Sequence, residues 1–236
     1  MPTIFWAGDS TCQQNTMETY PQTGIAQVFD RYTRRGEVTI SDHAVNGRST
    51  KSFLDEGRLV TIYDQMNEGD FLFIQFGHND EKRQDATRFT EPEGEFRGNL
   101  QKFVNAARNK GAHPVFITPV CRGLCCEKDD PEYRHVAWAR AMEKLAGELD
   151  VPCIPLTERS EALVGRLSPE ERDGLYMCFG PGLYPNYPEG KEDRTHLRPE
   201  GAMRFGGLIA QELVKLGGIY AALIAPEAKA WLEKEE

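Results

Sequence analysis

The stretch Phe71-Leu72-Phe73-Ile74-Gln75-Phe76 decides the fold class of this chain. Its apolar residues form a continuous run instead of alternating with polar ones, which is typical of a strand buried on both faces. Strands of that kind occur in parallel sheets that helices cover on both sides. The polar segment Gly77-His78-Asn79-Asp80 follows directly. It therefore falls at the carboxyl end of the strand, where sheets of this class carry their functional groups.

Shorter apolar runs on both sides of this stretch alternate with segments that have helical spacing. The predicted strands are Thr3–Ala7, Glu37–Ile40, Phe71–Phe76, Pro114–Pro119 and Val151–Leu156. The predicted helices are Gly24–Arg34, Phe53–Met66 (one broken or two short helices), Glu95–Lys110, Asp130–Leu149, Glu158–Leu167, Pro169–Leu175 and Pro199–Leu216. Tyr176–Glu192, which is rich in Gly, Pro and Tyr, is predicted to be a long loop. The alternation predicts an α/β fold with a five-stranded parallel sheet covered on both faces.

Length and charge narrow the class of protein. The 236 residues fit one large α/β domain better than two, with a short helical extension at about 218–236. Asp and Glu outnumber Lys and Arg by 37 to 28, and this acidic balance argues against a general nucleic-acid binder. The sequence has no apolar run long enough to span a membrane and no secretory signal before the first strand. We therefore expect a cytoplasmic protein without a nucleic-acid or membrane partner, and the sequence leaves its oligomeric state open.

The six cysteines favour a reducing compartment. They lie at positions 12, 121, 125, 126, 153 and 178. In a chain of this length without a secretory signal, we expect reduced and mostly buried thiols instead of disulfides. A zinc site formed by Cys121, Cys125 and Cys126 is the weaker alternative, because a closed zinc site needs four ligands at workable spacing.

Polar residues that follow the predicted strands supply the parts needed for acyl transfer. Ser10 follows the first strand, Gly47 the second and Asn79 the third, while Asp193 and His196 precede the last long helix. Serine is a weak nucleophile that needs an adjacent base, and a carboxylate orients the histidine that serves as that base. The tetrahedral intermediate needs N–H donors at its oxyanion. The three-residue spacing of Asp193 and His196 lets both side chains emerge from one turn on the same side.

Each of these residues also has an ordinary structural explanation. Ser10 with Asp9 could cap the first helix, Gly47 could be a turn residue, and Asn79 could cap the end of a strand. Asp193 could cap a turn, and His196 could be a surface histidine with its hydrogen bonds satisfied. Their joint occurrence after successive strands favours the functional interpretation over these alternatives.

Four segments of the chain resemble the SGNH (GDSL-type) hydrolases. They are Gly8-Asp9-Ser10-Thr11, Asn46-Gly47-Arg48-Ser49-Thr50, Phe73-Ile74-Gln75-Phe76-Gly77-His78-Asn79-Asp80 and Asp193-Arg194-Thr195-His196. The resemblance is strongest to the rhamnogalacturonan acetylesterase branch of the carbohydrate esterases, and the stretches Gly47–Leu59 and Leu197–Ala202 share it. A lone Gly-Asp-Ser is a weak signal, whereas four segments in this order are specific and span Gly8 to Ala202, most of the chain.

The resemblance implies a fold and a set of roles. It implies a three-layer α/β/α sandwich of the flavodoxin-like type, Ser10 as nucleophile, His196 as base and Asp193 as the group that orients His196. The backbone N–H groups of Ser10 and Gly47 and the side-chain amide of Asn79 would form the oxyanion hole. No metal or cofactor is implied. Arg194 and the segment Cys121–Cys126 depart from the family pattern and are expected near the substrate.

The substrate implied by the resemblance is an acetylated plant cell-wall carbohydrate, above all rhamnogalacturonan fragments of pectin. The possible substrate contacts are His78, Arg48, Arg122 and Arg198. An arginine can bind the carboxylate of an acidic sugar through two hydrogen bonds, although solvated surface charge explains each arginine as well. Tyr184 and Tyr187 could form a sugar-stacking rim or simply pack the loop. An acetylxylan or other small-acyl esterase and a non-catalytic carbohydrate-binding relative stay open as alternatives. His43, His113 and His135 are expected to be structural or surface residues.

Overall fold

Five parallel strands form the central sheet of the protein, whose computed structural model describes residues 1–125, 127, 130 and 134–232. The strands are β1 (Thr3–Gly8), β2 (Thr39–Asp42), β3 (Phe71–Gln75), β4 (His113–Ile117) and β5 (Cys153–Ile154). Their order is β2-β1-β3-β4-β5, which is the order of flavodoxin-like doubly wound sheets. Since all five strands run parallel, their carboxyl ends lie along one edge of the sheet.

Helices cover both faces of this sheet. They are α1 (Ile25–Val28), α2 (Thr50–Asp55), α3 (Arg58–Gln65), α4 (Arg97–Asn109), α5 (Val136–Leu149), α6 (Leu156–Val164), α7 (Pro169–Leu175), α8 (Pro199–Leu216), α9 (Gly218–Ala222) and α10 (Pro226–Leu232). A 3₁₀ turn at Phe29–Arg31 continues α1, and a π-helical turn at Pro92–Phe96 leads into α4. The predicted three-layer α/β/α fold with a five-stranded parallel sheet is confirmed.

Side chains that alternate along β3 divide the core into two layers. Phe73 faces a cluster that includes residues of α1 and α8, such as Phe205, whereas Leu72 and Ile74 face a cluster with residues of α3, α4 and α5, such as Phe103. Phe73, Phe103 and Phe205 are fully buried, and burial of one such ring contributes about 1.5–3 kcal/mol to folding. The continuous apolar run of β3 is therefore the consequence of burial on both faces.

Three predicted elements are shorter in the structure. The helix predicted at Asp130–Leu149 begins at Val136, because His135 has a left-handed backbone (φ 59°) that a helix cannot contain. Residues 131–133 of the predicted span lie outside the described residues. The strand predicted at Val151–Leu156 is reduced to Cys153–Ile154 between two prolines, which have no N–H for a ladder bond. The helix predicted at Gly24–Arg34 tightens into the 3₁₀ turn after Val28.

The predicted long loop Tyr176–Glu192 is wrong at both ends. The chain forms an antiparallel hairpin of β6 (Tyr176–Phe179) and β7 (Lys191–Leu197), in which Phe179 pairs with Lys191 and Met177 with Asp193. The prediction missed the hairpin because its short strands enclose a Gly- and Pro-rich segment and gain their order from pairing with each other. Asp193 and His196 accordingly lie on a strand, whereas the sequence had suggested a turn.

The carboxyl-terminal segment packs against the residues that follow α1. The N–H of Ala225 donates to the carbonyl of Tyr32 at 2.9 Å, and Ile224 pairs with Thr33. Residues 233–236 of the predicted helical extension lie outside the described residues, and the single-domain organisation stays a prediction. Within the part of the chain that the structure describes, no helix has the length and apolar character needed to cross a membrane.

Candidate active site

Ser10 lies on a tight turn at the carboxyl end of β1. The N–H groups of Cys12 and Gln13 donate to the Asp9 carbonyl at 3.2 and 3.1 Å, which closes the turn. The Asp9 carboxylate accepts both the N–H (2.9 Å) and the hydroxyl (2.8 Å) of Thr11 and so fixes the backbone on both sides of Ser10. The first helix begins only at Ile25, so the alternative that Ser10 caps a helix does not hold.

Asp193 and His196 share one side of β7 because the strand bulges between them. Met177 pairs with Asp193 and Tyr176 with Leu197, so the three residues 194–196 have no counterpart on β6. The Asp193 Oδ1 accepts the N–H groups of Thr195 (2.9 Å) and His196 (3.1 Å), which folds the bulge around the carboxylate. A regular strand would turn residues three apart to opposite faces. The bulge is therefore what lets this carboxylate and this imidazole meet.

The three predicted catalytic side chains form one hydrogen-bonded chain. His196 Nδ1 lies 2.7 Å from Asp193 Oδ2, and His196 Nε2 lies 3.0 Å from Ser10 Oγ. When the proton of neutral His196 is on Nδ1, the ring donates to Asp193 and its Nε2 accepts the Ser10 hydroxyl. Ser10 is 7% exposed and the His196 side chain about a third exposed, so a small ester can reach them.

The electrostatics keep Asp193 ionised. Burial raises the pKa of this carboxyl, but the hydrogen bonds from His196 and Thr195 together with the charge of His196 outweigh burial and leave the pKa well below its ordinary value. An ionised Asp193 stabilises the imidazolium that forms when His196 takes a proton.

A bidentate ion pair anchors the bulge from outside. Arg194 Nε and Nη2 lie 2.8 and 3.0 Å from the two carboxylate oxygens of Asp173 on α7. The carbonyl of Arg194 accepts the N–H of Gly123 at 2.9 Å. Arg194, which was expected near the substrate, is turned toward α7, so it acts on the site through the position of the bulge.

The three N–H groups predicted for the oxyanion hole belong to residues that follow β1, β2 and β3, at the carboxyl edge of the sheet. Within the described ranges, the backbone N–H groups of Ser10 and Gly47 have no acceptor. Gly47 has a φ of 76°, a left-handed conformation that favours glycine. The Asn79 Nδ2 donates to the carbonyl of Arg48 at 3.1 Å, which uses one of its two hydrogens and leaves the other. The Asn79 side chain thus bonds to the loop that contains Gly47. The structural alternative was that it caps the end of its own strand, β3.

Asp80 connects the Gly47 loop to β3. This fully buried carboxylate accepts the hydroxyls of Thr50 (2.6 Å) and Thr90 (2.8 Å) and the N–H of Thr50 at 3.1 Å. Burial outweighs these hydrogen bonds and raises the pKa of Asp80 to about 7. The sequence analysis gave Asp80 no role, and the structure shows that it bonds the residue after Asn79 to Thr50, three residues after Gly47.

We expect Asp80 to make stability depend on pH. Its folded pKa of about 7 lies above the ordinary value of 3.8, so the folded state binds more protons than the unfolded state between these values and the free energy of unfolding falls as pH rises from about 4 to about 7. Replacing Asp80 with Asn keeps most acceptor contacts and should make this fall smaller. Urea unfolding of both proteins at several pH values measures the difference.

Two outcomes bear on this expectation. The fall should not vanish in Asp80→Asn, because burial also raises the pKa of Asp42 and Glu81 to about 7 and that of Asp9 to about 6. Asp80→Ala should cost about 1–3 kcal/mol or more at any pH, since it leaves buried donors of two threonines without an acceptor. An unchanged pH dependence in Asp80→Asn would show that Asp80 is ionised throughout.

His78 and Arg122 belong to a buried polar network next to the site. His78 is 3% exposed, its Nε2 lies 3.0 Å from the Val120 carbonyl, and its ring lies 4.1 Å from that of His135. Glu81 accepts from Arg122 and lies 2.7 Å from His135 Nδ1. Burial lowers the pKa of both histidines, so both rings are neutral. This placement favours a structural role for His78 over the predicted substrate contact.

The other predicted substrate contacts also have partners within the protein. Arg48 pairs with Glu56 at 3.0 Å, and Arg198 Nε donates to the Gly174 carbonyl at 3.0 Å. Tyr184 packs on Phe179 with ring centroids 4.7 Å apart. Tyr187 packs on the same ring and donates its hydroxyl to the Thr19 carbonyl at 3.3 Å, which is the loop packing that the sequence left open.

The remaining histidines and cysteines lie where structural roles were expected. His43 lies 3.0 Å from the Ser41 hydroxyl, and the ring of His113 packs on Phe71. Cys121 contacts the Tyr176 hydroxyl at 3.5 Å, while Cys126 lies outside the described residues. Among the residues that the structure describes, no group of three His, Cys, Asp or Glu side chains is arranged to hold a metal ion.

Sequence reasoning missed two residues that touch the site. Arg88 donates to the Asn79 Oδ1, and Asp173 holds Arg194. Arg88 lies in the charged loop after β3, and Asp173 lies on α7; neither belongs to any of the four segments. No pattern in the sequence distinguishes them from surface charges, because their contacts form only in the folded structure.

Comparison with known proteins identifies the family of the chain. Residues 7–203 match the model of the GDSL-like lipase/acylhydrolase family. The chain is 42% identical over 214 residues to the rhamnogalacturonan acetylesterase RhgT of Bacillus subtilis, covering 91% of this chain and 90% of that protein. It is 35% identical over 219 residues to the probable rhamnogalacturonan acetylesterase YesY of the same organism, covering 91% and 93%.

Solved structures share the fold. The crystal structure of protein YxiM from Bacillus subtilis superposes with a TM-score of 0.76 and 26% identity, covering 92% of this chain and 57% of that one. The acetylxylan esterase Axe2 of Geobacillus stearothermophilus superposes with a TM-score of 0.63 over 89% of this chain and 93% of that one, at 14% identity, a likeness of fold alone. From the match over most of its length, the chain belongs to the GDSL-like lipase/acylhydrolase family and is a carboxylic ester hydrolase.

Proposed function

We propose that this protein is a serine esterase that removes O-acetyl groups from pectin-type carbohydrate, with rhamnogalacturonan fragments as its substrate. The observation that carries the proposal is the hydrogen-bonded chain from Ser10 Oγ through His196 to Asp193, at 3.0 and 2.7 Å. A relative named as a rhamnogalacturonan acetylesterase, at 42% identity, and one named as a probable rhamnogalacturonan acetylesterase, at 35% identity, support the substrate class.

In the proposed mechanism, acylation begins with proton transfer to His196. Ser10 Oγ attacks the acetyl carbonyl carbon while His196 Nε2 takes the hydroxyl proton, and Asp193 stabilises the imidazolium. The carbonyl oxygen becomes an oxyanion that accepts from the N–H groups of Ser10, Gly47 and Asn79. When the intermediate collapses, the bond to the sugar oxygen breaks and the imidazolium gives its proton to that oxygen. The deacetylated sugar leaves and an acetyl group stays on Ser10.

Deacylation repeats the same steps with water. His196 takes a proton from a water molecule, whose oxygen attacks the acetyl-enzyme carbonyl, and the same N–H groups bind the new oxyanion. Collapse returns the proton to Ser10 Oγ and releases acetate. Both half-reactions use only side chains and N–H groups of this chain.

The test of the substrate is acetate release from acetylated rhamnogalacturonan oligosaccharides and from acetylated xylo-oligosaccharides of similar length. We expect a higher kcat/KM on the first set. A higher value on xylan fragments would favour the alternative of an acetylxylan esterase, and a series of p-nitrophenyl esters of increasing chain length separates acetyl from longer acyl preference. A Ser10→Ala sample subtracts spontaneous hydrolysis.

The sequence analysis left open a non-catalytic carbohydrate-binding relative, an alternative that the family match and the named relatives do not favour. This alternative predicts that a fluorophosphonate does not label Ser10, whereas the proposed esterase reacts at this hydroxyl. Mass spectrometry of the labelled peptide decides between them. The cytoplasmic location and the absence of nucleic-acid and membrane partners stay predictions.

A further inference from the structure

Arg88 extends from the charged loop after β3 to two members of the proposed oxyanion hole. Its Nη1 lies 3.4 Å from Asn79 Oδ1, and it lies 3.6 Å from the position that a Cβ on Gly47 would take. The side chain is about a third exposed. Among the described residues, the Arg88 side chain hydrogen-bonds only to Asn79 and Asp85.

The loop holds Arg88 in this place. Arg88 Nε donates to Asp85 Oδ2 at 2.6 Å, and the N–H of Arg88 donates to the Asp85 carbonyl at 3.0 Å. Thr90 donates both its N–H (3.0 Å) and its hydroxyl (2.8 Å) to Asp80, and its carbonyl accepts from Trp138 Nε1 at 3.2 Å. The guanidinium is therefore bonded to Asp85 within the loop, and the bonds of Thr90 fix the loop backbone two residues further on.

Arg88 contacts the oxygen end of the Asn79 side-chain amide, and this contact bears on the direction in which the amide faces. An oxyanion hole needs the NH₂ end of this amide, and a rotation of the amide by half a turn would present an oxygen lone pair to the oxyanion instead. The carbonyl of Arg48 accepts from Nδ2, and Arg88 donates to Oδ1. Because a cation cannot face the NH₂ end favourably, Arg88 opposes that rotation.

We propose that Arg88 is a positioning residue of the oxyanion hole, which acts by holding the side-chain amide of Asn79 with its NH₂ end toward the reacting carbonyl. The inference rests on the proposed esterase function. It makes a specific claim: the effect of Arg88 on the rate passes through Asn79. The loop arginine thus affects the chemical step for every ester, whatever its sugar.

The test is a double-mutant cycle with p-nitrophenyl acetate. Arg88→Met, which keeps the aliphatic stem and removes the donors, should lower kcat about 10-fold and leave KM within about 2-fold, as expected for an interaction made in the transition state. Asn79→Ala should lower kcat about 10²–10³-fold. In the double variant, Arg88→Met should add no more than about 2-fold to the loss caused by Asn79→Ala, because residues that act as a unit are not additive.

Arg83 provides the matched control. It lies in the same loop, packs on the Phe89 ring at 5.0 Å and pairs with the exposed Glu91 at 3.5 Å. Arg83→Met removes the same charge and should leave kcat unchanged. Thermal unfolding of each variant shows whether it is folded, and Arg88→Lys, which keeps a donor, serves as the second variant and should retain more activity than Arg88→Met.

Three results would overturn the inference. They are a wild-type kcat in Arg88→Met, a full additional loss on top of Asn79→Ala, and a loss confined to acidic oligosaccharides with a normal rate on p-nitrophenyl acetate, which would make Arg88 a substrate contact. Failure of the proposed function has a different signature, since a wild-type protein that releases no acetate from any ester would contradict the esterase itself.

Discussion

Replacing Ser10 with Ala lowers kcat for acetyl ester hydrolysis by about 10⁴–10⁶-fold, because the variant has no oxygen to form the acetyl-enzyme. Steady-state rates on p-nitrophenyl acetate, with a burst experiment on the wild type, measure the loss. His196→Ala should cost a similar factor, and the double variant should be little worse than either single one. The reason is that the Ser10–His196 contact at 3.0 Å acts as one unit, which loses its function with either member.

A second serine–histidine contact in the same protein supplies the control. Ser41 Oγ also lies 3.0 Å from His43 Nε2, and burial lowers the pKa of His43. Ser41 lies on β2, outside the proposed oxyanion hole, so Ser41→Ala should leave kcat unchanged. If Ser10→Ala kept the wild-type rate, the nucleophile would lie elsewhere and the proposed mechanism would be wrong.

Replacing Asp193 with Asn lowers kcat by about 10⁴-fold through the tautomer of His196. Asp193 Oδ1 accepts two backbone N–H groups, from Thr195 and His196, so the amide of Asn keeps its oxygen there and places its NH₂ group at the position of Oδ2. This NH₂ group faces His196 Nδ1, which lies 2.7 Å from Oδ2 of Asp193 in the wild type. His196 must then accept on Nδ1 and carry its proton on Nε2, where it cannot take the proton of Ser10.

The fold of Asp193→Asn should survive, which separates this effect from damage to the bulge. Both backbone bonds to the amide oxygen remain, and the Arg194–Asp173 ion pair lies on the other side of the bulge. A Tm within a few degrees of the wild type, together with the large loss of kcat, is the expected result. A loss below about 10-fold would show that the carboxylate does not set the tautomer.

Local patterns predicted most of the fold. The run Phe71–Phe76 is almost continuously apolar because β3 is buried on both faces. Adjacent residues of the sequence show this directly, so β3 could be predicted. The same holds for α8, which begins at Pro199 as predicted, since proline suits the first turn of a helix. Where the backbone conformation depends on remote contacts, as at His135 with its left-handed φ, the predicted start of α5 was wrong.

The residues of the candidate site were identified from the sequence, but their arrangement was not. The spacing of Asp193 and His196 suggested a shared turn, and the structure has a strand with a bulge. Arg88 and Asp173 could not be found, because neither the position of Arg88 in a charged loop nor that of Asp173 on α7 indicates which side chain it will contact. Each acts through one contact, with Asn79 and Arg194 respectively.

The sequence by itself determined the strand–helix order, the parallel sheet and the identity of the groups at its carboxyl edge, because burial and backbone preference act on neighbours in the chain. Only the tertiary structure decided that the side chains of Ser10 and His196, 186 positions apart, lie within 3.0 Å of each other. It also decided that β6 pairs with β7, which forms the bulge in β7. The physical reason is that pairing across strands and ion pairs between loops depend on distances that exist only after the sheet has formed.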